Sequence, residues 1–191
     1  MDNDIDKKQL ILKNSAKIFA NKGYYGAGIS EILKACNIPK GSFYHYFPGG
    51  KEELAIEVLN YVYNSMAESI NKNIFSISNN AVIVFSNMLD KLTATFNKRH
   101  VFESLVITFI GLESIYISDQ LSLEAEKVYT MWQDFYKMKL MDCGYSKEDA
   151  EDYSLILFTL IHGSLISCWI KQDTEDLQRM KKQLPKLLPI L

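Results

Sequence analysis

The sequence predicts an all-α protein of about nine helices, a three-helix N-terminal head followed by a longer C-terminal helical body. Three observations predict it. Apolar residues recur at three- and four-residue spacing along most of the chain, the period of a helix with one buried face. Segments containing Gly, Pro or Asn interrupt that pattern where one helix should end and the next begin. No stretch alternates apolar and polar residues convincingly enough for a strand. With 191 residues and 48% hydrophobic composition, the chain can bury a substantial core. Its three cysteines form no Cys-x-x-Cys pair, which speaks against a disulfide framework and fits a reducing cytoplasm. The opening MDNDIDKKQ holds no apolar signal region, so nothing suggests export.

The first helix is expected from about Asp6 to Asn21. Ile11, Ser15, Ile18 and Phe19 make its core stripe, Asp4 or Asp6 can cap its start, and Gly23 stops it. Lys7 and Lys8 are placed to reach a DNA backbone, although terminal lysines are commonly just solvated. Ser30 to Ala35 forms a short second helix with Ile29, Ile32 and Leu33 on a shared face. It closes at Cys36-Asn37, because Asn tolerates left-handed backbone, and Pro39 suits the first turn of the next helix. The third helix, Lys40 to Tyr46, turns Phe43 and Phe47 inward and leaves Lys40, Ser42, Tyr44, His45 and Tyr46 largely outward.

An outward face of one cation, a hydroxyl, two phenols and an imidazole asks for a polar, partly flat partner. A helix-turn-helix that lays its second helix in the major groove uses such a face, with hydroxyls and Lys on phosphates and base edges and rings against thymine methyls. A plain helical hairpin with half-buried tyrosines is the other reading of the same geometry.

The run from Gly23, G-Y-Y-G-A-G-I-S-E-I-L-K-A-C-N-I-P-K-G-S-F-Y-H-Y-F, followed by K-E-E-L, resembles the DNA-binding domain of the TetR family of bacterial transcriptional repressors. The likeness extends from Gln9 to Leu59 and includes the first-helix pattern I-L-x-x-S-A-x-x-F. Two departures stand out. Gly28 occupies the place where the family usually has Thr or Ser, so backbone N–H groups must replace that side chain's cap and phosphate contact. The link Phe47-Pro48-Gly49-Gly50-Lys51 is longer than the commonest form, which resembles the LmrA/YxaF-like subgroup, whose members tend to control multidrug-efflux genes. The resemblance implies a DNA-binding domain over 1–50 and a ligand-binding and dimerisation domain over 51–191. The candidate DNA-contacting residues are Ser30, Lys40, Gly41, Ser42, Tyr44, His45, Tyr46 and Lys51.

Helix four should run from Lys51 to about Asn73, roughly 33 Å, with Leu54, Val58, Tyr61 or Val62, Met66 and Ile70 inward. Lys51 puts a cation at the positive end of the helix dipole, a conflict that a phosphate relieves, and the resemblance places this lysine on the DNA backbone. A fifth helix is expected from about Asn80 to Asn97 through Val82, Phe85, Met88 or Leu89, Leu92 and Phe96, closing at Lys98-Arg99-His100. A short sixth uses Phe102, Leu105, Val106, Phe109 and Ile110 and ends at Gly111, with an irregular segment to Ser118. Leu121, Ala125, Val128, Trp132 and Phe135 carry a seventh from Asp119 to Asp142, terminated by Gly144.

Ser146-Lys147-Glu148-Asp149 reads as a capping box opening the most apolar helix of the chain. The run from Tyr153 to Ile170 is as long as a membrane span, but Tyr, Ser, Thr and His interrupt it. A helix buried on two sides, by its own domain and by a second subunit, is the simpler account. A final helix follows from Thr174 to Leu184. The resemblance implies a homodimer built on the last two helices, with Leu157, Ile161, Gly163, Ser164, Leu165, Cys168, Leu177 and Leu184 as candidate interface residues. Two heads on one axis would read half-sites about 34 to 36 Å apart.

The body is rich in rings, and aromatics with polar tips can line a cavity for a flat apolar effector, although ordinary core is the plainer role for each alone. The candidate ligand-contacting residues are Phe85, His100, Phe109, Trp132, Phe135, Tyr136 and His162. A tilt of helix four by about 6° would shift a head about 33 Å away by about 3 Å and spoil paired docking. The expectation is a cytoplasmic repressor released from its operator by a small molecule, without metal or other cofactor. A helix-turn-helix acting without an effector, or docking protein instead of DNA, remains the alternative. Scattered histidines and cysteines, no Glu-x-x-His, no Gly-x-Ser-x-Gly and no Walker-type loop give no support to an enzyme. Residues 1 to 47 hold seven lysines against four acids, a balance of +3, which leaves −5 for the rest of a chain whose net charge is −2. A basic end on an acidic body suits local phosphate neutralisation.

Overall fold

The structure, a computed structural model, describes residues 2–96 and 105–189, with side chains from residue 7 onward. His100, Lys98, Arg99 and Phe102 lie outside the described residues, as do the side chains of Asp4 and Asp6. Among the described residues there are nine α-helices and no strand: α1 (Asp2–Gly26), α2 (Ile29–Cys36), α3 (Lys40–Tyr46), α4 (Lys51–Asn73), α5 (Ala81–Thr95), α6 (Val106–Ser114), α7 (Asp119–Asp142), α8 (Lys147–Lys171) and α9 (Glu175–Leu187). A 3₁₀ turn at Phe75–Ile77 follows α4.

The chain forms two compact units, one of residues 1–64 with 101–129 and the other of 65–100 with 130–191. Compactness therefore divides the chain at other places than the functional boundary expected after residue 50. In the first unit, α1 packs against both α6 and α2. Its core gathers Ile11, Leu12, Phe19, Ile32, Phe43, Phe47, Leu54, Val58, Val106, Ile110 and Leu121, each at most 4% exposed. Ile18, expected in the α1 stripe, is only half-buried, and Leu12, Ala16 and Ala20 complete the inner face instead. Helical geometry in α1 breaks at Gly23 (φ 67°, ψ −175°), so the predicted stop appears as a kink with one further turn beyond it.

In the second unit α9 packs against α5 and α8. Asn80 caps α5, its side chain accepting the Ile83 N–H at 3.1 Å. The buried face of α5 is Ala81, Val84, Phe85, Met88 and Leu89, so Val84 takes the inward place expected of Val82. Ser146 caps α8 as predicted, accepting the Asp149 N–H at 3.1 Å. Lys181 of α9 and Asp90 of α5 pair at 2.6 Å.

Two helix ends differ from expectation. Gly111 does not stop α6, which runs on to Ser114, because the glycine keeps a negative φ and the helix passes through it. Pro185 sits inside α9, which continues to Leu187. Among the described residues α8 alone has the length and apolarity of a membrane span. Ala150, Ser154, Leu157, Phe158, Ile161, His162, Leu165 and Cys168 along it are buried within the chain, so one face of it serves as core.

Candidate nucleic-acid interface

The turn between α2 and α3 arises from local chemistry. Asn37 adopts φ 52°, ψ 48° and closes α2, with the Ile38 N–H donating to Leu33 O at 3.1 Å. Left-handed backbone is accessible to Asn and to few other residues. Pro39 then stands as N-cap of α3 in extended geometry. The recognition-type helix is held by Phe43 and Phe47, both 0% exposed, with ring centroids 5.6 Å apart. Burying each such ring stabilises the head by about 1.5–3 kcal/mol.

On the opposite face Lys40, Gly41, Tyr44 and His45 are exposed, and Ser42 and Tyr46 are half-buried. The Lys40 ammonium lies 5.8 Å from the Tyr44 ring centroid, and the His45 and Tyr46 rings meet edge to face at 5.2 Å. Tyr44 and His45 keep these contacts while standing in solvent. Ser30, near the start of α2, is exposed as well. Gly28 caps α2 from extended backbone (φ −84°, ψ 140°) with no side-chain hydrogen bond, as the missing Thr or Ser requires.

Lys51 opens α4 half-buried, its ammonium 4.3 Å from the Tyr24 ring centroid. Tyr24 in turn stacks on buried Phe19 at 6.1 Å. Burial lowers the Lys51 pKa, and the Glu113 carboxylate on α6 opposes that shift. Lys8 is not free for DNA as its position suggested. It pairs with Glu57 at 2.7 Å and lies 5.4 Å from the Phe47 ring centroid, tying α1 to α4. Lys7 remains exposed.

Four polar ties join the α6–α7 corner to α1 and α4, and sequence reasoning missed all of them. Tyr25 N–H donates to Glu113 at 3.0 Å, the Tyr25 hydroxyl donates to the Tyr116 carbonyl at 3.0 Å, Asn60 donates to Glu124 at 2.7 Å, and the Ser118 hydroxyl donates to Glu52. The paired residues lie 64 to 91 apart in the chain, beyond the reach of any local pattern.

The expected ligand contacts are only partly brought together. Phe85, Trp132, Phe135, Tyr136 and His162 all belong to the second unit, whereas Phe109 belongs to the first. Within the second unit Phe75 stacks on Phe135 at 4.7 Å, Tyr136 meets Phe85 at 5.3 Å, and Phe158 lies 4.0 Å from His162. The rings pack on one another as core. Burial drives the Tyr136 hydroxyl pKa upward and pulls that of His162 down to about 4, while the Phe158 carbonyl partly offsets the latter.

The expected interface residues need a correction. Leu157, Ile161, Leu165, Cys168, Leu177 and Leu184 are all at most 1% exposed within the single chain, so their side chains are already spent on its own core. Gly163 and Ser164 do reach the surface. Beside them on α8 stand exposed Leu155, Ile156 and Leu160, and a groove of about 540 Å³ runs between α8 and α9.

Comparison with known proteins agrees with this geometry. Residues 11–58 match the model of the bacterial regulatory proteins of the tetR family, and residues 81–183 match that of the LmrA/YxaF-like transcriptional regulator C-terminal domain. The HTH-type transcriptional regulators YxaF and LmrA of Bacillus subtilis are each 28% identical over 183 residues, covering 96% of this chain and 95% and 97% of theirs. The HTH-type transcriptional repressor NemR of Escherichia coli is 39% identical over 54 residues, 28% of this chain and 27% of NemR. Its reduced-form crystal structure superposes with a TM-score of 0.80 at 18% identity, covering 96% of this chain and 97% of that one.

Proposed function

Because this chain belongs to the TetR family of bacterial regulatory proteins, with a C-terminal domain of the LmrA/YxaF-like kind, we propose that it is a cytoplasmic, homodimeric repressor. It holds a palindromic operator and leaves it when a small aromatic or apolar effector enters the body. Proteins of this family are transcriptional regulators, and the chain is not an enzyme.

The observation that carries the reading is the outer face of α3, where Lys40, Tyr44 and His45 stand in solvent on a helix anchored by two fully buried phenylalanines. Aromatics exposed on a rigid short helix cost solvation unless a partner covers them. Lys40 and Ser42 suit phosphates and base edges, Tyr44, His45 and Tyr46 suit bases and thymine methyls, and Gly41 admits close backbone approach. Ser30 and Lys51 take flanking phosphates. The functional division then falls near residue 50, with dimerisation and effector sensing in residues 51–191.

Dimerisation uses the exposed side of α8, Leu155, Ile156 and Leu160, with Gly163 and Ser164, against the groove beside α9. The effector parts the rings of Phe85, Trp132, Phe135 and Tyr136, and its preference for the DNA-incompetent shape must equal the weakening that DNA imposes on it. The gene it controls is, on this reading, a multidrug-efflux gene, as the resemblance to the LmrA/YxaF-like subgroup implies.

The test is fluorescence anisotropy with the DNA upstream of the chain's own gene at two salt concentrations. Phosphate contacts give a steep loss of affinity with salt. No binding, or binding indifferent to salt, overturns the reading. A thermal-shift screen of aromatic and cationic compounds, followed by competition with that DNA, tests the effector.

A further inference from the structure

Glu113 stands on α6, yet its carboxylate meets the helices of the DNA-binding head. Its Oε2 accepts the Tyr25 backbone N–H at 3.0 Å. Its Oε1 occupies the place a Gly23 side chain would need, 2.5 Å from an ideal Cβ. The Tyr25 hydroxyl donates to the Tyr116 carbonyl at 3.0 Å, so the end of α6 grips the same turn twice. Between Gly23 and Tyr25 lies Tyr24, whose ring carries the Lys51 ammonium 4.3 Å from its centroid. The Glu113 carboxylate is also near enough to Lys51 to act on its charge.

We infer that Glu113 is a positioning residue for the DNA-binding surface with two opposed actions. Its oxygen fixes the turn that holds Tyr24 against Lys51, and its negative charge competes with DNA phosphate for that lysine. The inference rests on Lys51 being a phosphate contact.

The two actions separate by substitution. Glu113→Gln keeps an acceptor for the Tyr25 N–H and drops the charge, whereas Glu113→Ala drops both. A carboxylate that acts on Lys51 also repels a phosphate drawn to that lysine, through high-dielectric solvent, so Glu113→Gln is expected to bind DNA about two- to fourfold tighter at low salt. That gap closes as salt screens the charge. Glu113→Ala leaves this solvent-exposed turn without its side-chain acceptor, and a loss of about two- to tenfold is expected, the net worth of one such hydrogen bond.

The probe is a labelled random-sequence duplex of about 30 base pairs, long enough for two heads one helical turn apart. Affinities of the full-length wild type and both variants are measured across a salt series, with unfolding midpoints alongside. Tighter binding by the Gln variant and weaker binding by the Ala variant support the inference. Shifts in the same direction, or none, overturn it while leaving the DNA-binding reading intact. A wild type that shows no salt-dependent binding removes the reading itself, and the inference with it.

Discussion

Gly23 meets two constraints at one residue. Its φ of 67° lies in the left-handed region, and any Cβ there would stand 2.5 Å from Glu113 Oε1. Gly23→Ala is therefore expected to destabilise the chain by about 1–3 kcal/mol, seen as a lower urea midpoint. Gly28 is the opposite case. Its backbone is extended, and an added Cβ would meet only Ser30 Oγ at 3.6 Å. Gly28→Ser should restore a side-chain N-cap and raise stability by about a few tenths of a kcal/mol, a small rise in melting temperature. His162 gives a pH dependence. Burial lowers its pKa to about 4 from the ordinary 6.5, so the folded chain keeps it neutral while the unfolded chain takes up a proton below 6.5. The associated stability is fully present above pH 6.5 and is lost as pH falls toward about 4, up to about 3 kcal/mol in all. Denaturant titrations at several pH values should show this slope in the wild type and a flatter one in His162→Gln.

At the scale of elements, α3 divides its residues between two jobs. Phe43→Ala removes a fully buried ring and should cost about 3–5 kcal/mol of stability. Lys40→Ala touches only the exposed face and should leave stability within about 0.5 kcal/mol. It should weaken binding to all duplexes alike and reduce the salt slope by about one. The bounds of α3 were legible because Asn37 and Pro39 act through local backbone preference. The end of α6 was not. A glycine stops a helix only where the chain needs left-handed backbone, and Gly111, unlike Gly23, Gly50 and Gly144, does not adopt it. The side of α8 facing inward was illegible for a related reason. With apolar residues all round, period alone cannot say which are claimed by the chain's own core, and Leu157 and Ile161 are, while Leu155 and Leu160 are not. Contacts such as Lys8 with Glu57 were hidden because the partners lie 49 residues apart.

For the molecule as a whole, the outer side of α8 is the apolar surface that a second subunit would cover. Leu155, Ile156 and Leu160 are 53%, 39% and 41% exposed, beside a groove of about 540 Å³ whose lining includes Ser167, Asp176, Arg179 and Lys186. An apolar ridge next to a groove can be answered by its own symmetry mate, ridge into groove, in an isologous dimer. Gly163 offers a clean probe. A Cβ there would meet nothing within 4 Å, so the single chain has room for a side chain, and replacing a mid-helix glycine should favour the helix by about 0.5–1 kcal/mol. A partner helix lying close over Gly163 has no such room. Gly163→Leu is therefore expected to run as a monomer in light scattering at micromolar concentration while keeping wild-type helical content. Its affinity for a palindromic operator should fall by about 10²–10⁴, the advantage of two linked heads over one. Its binding to a single half-site should stay unchanged. A Gly163→Leu protein that remains dimeric and holds the palindrome as tightly as the wild type would place the subunit contact elsewhere on the chain.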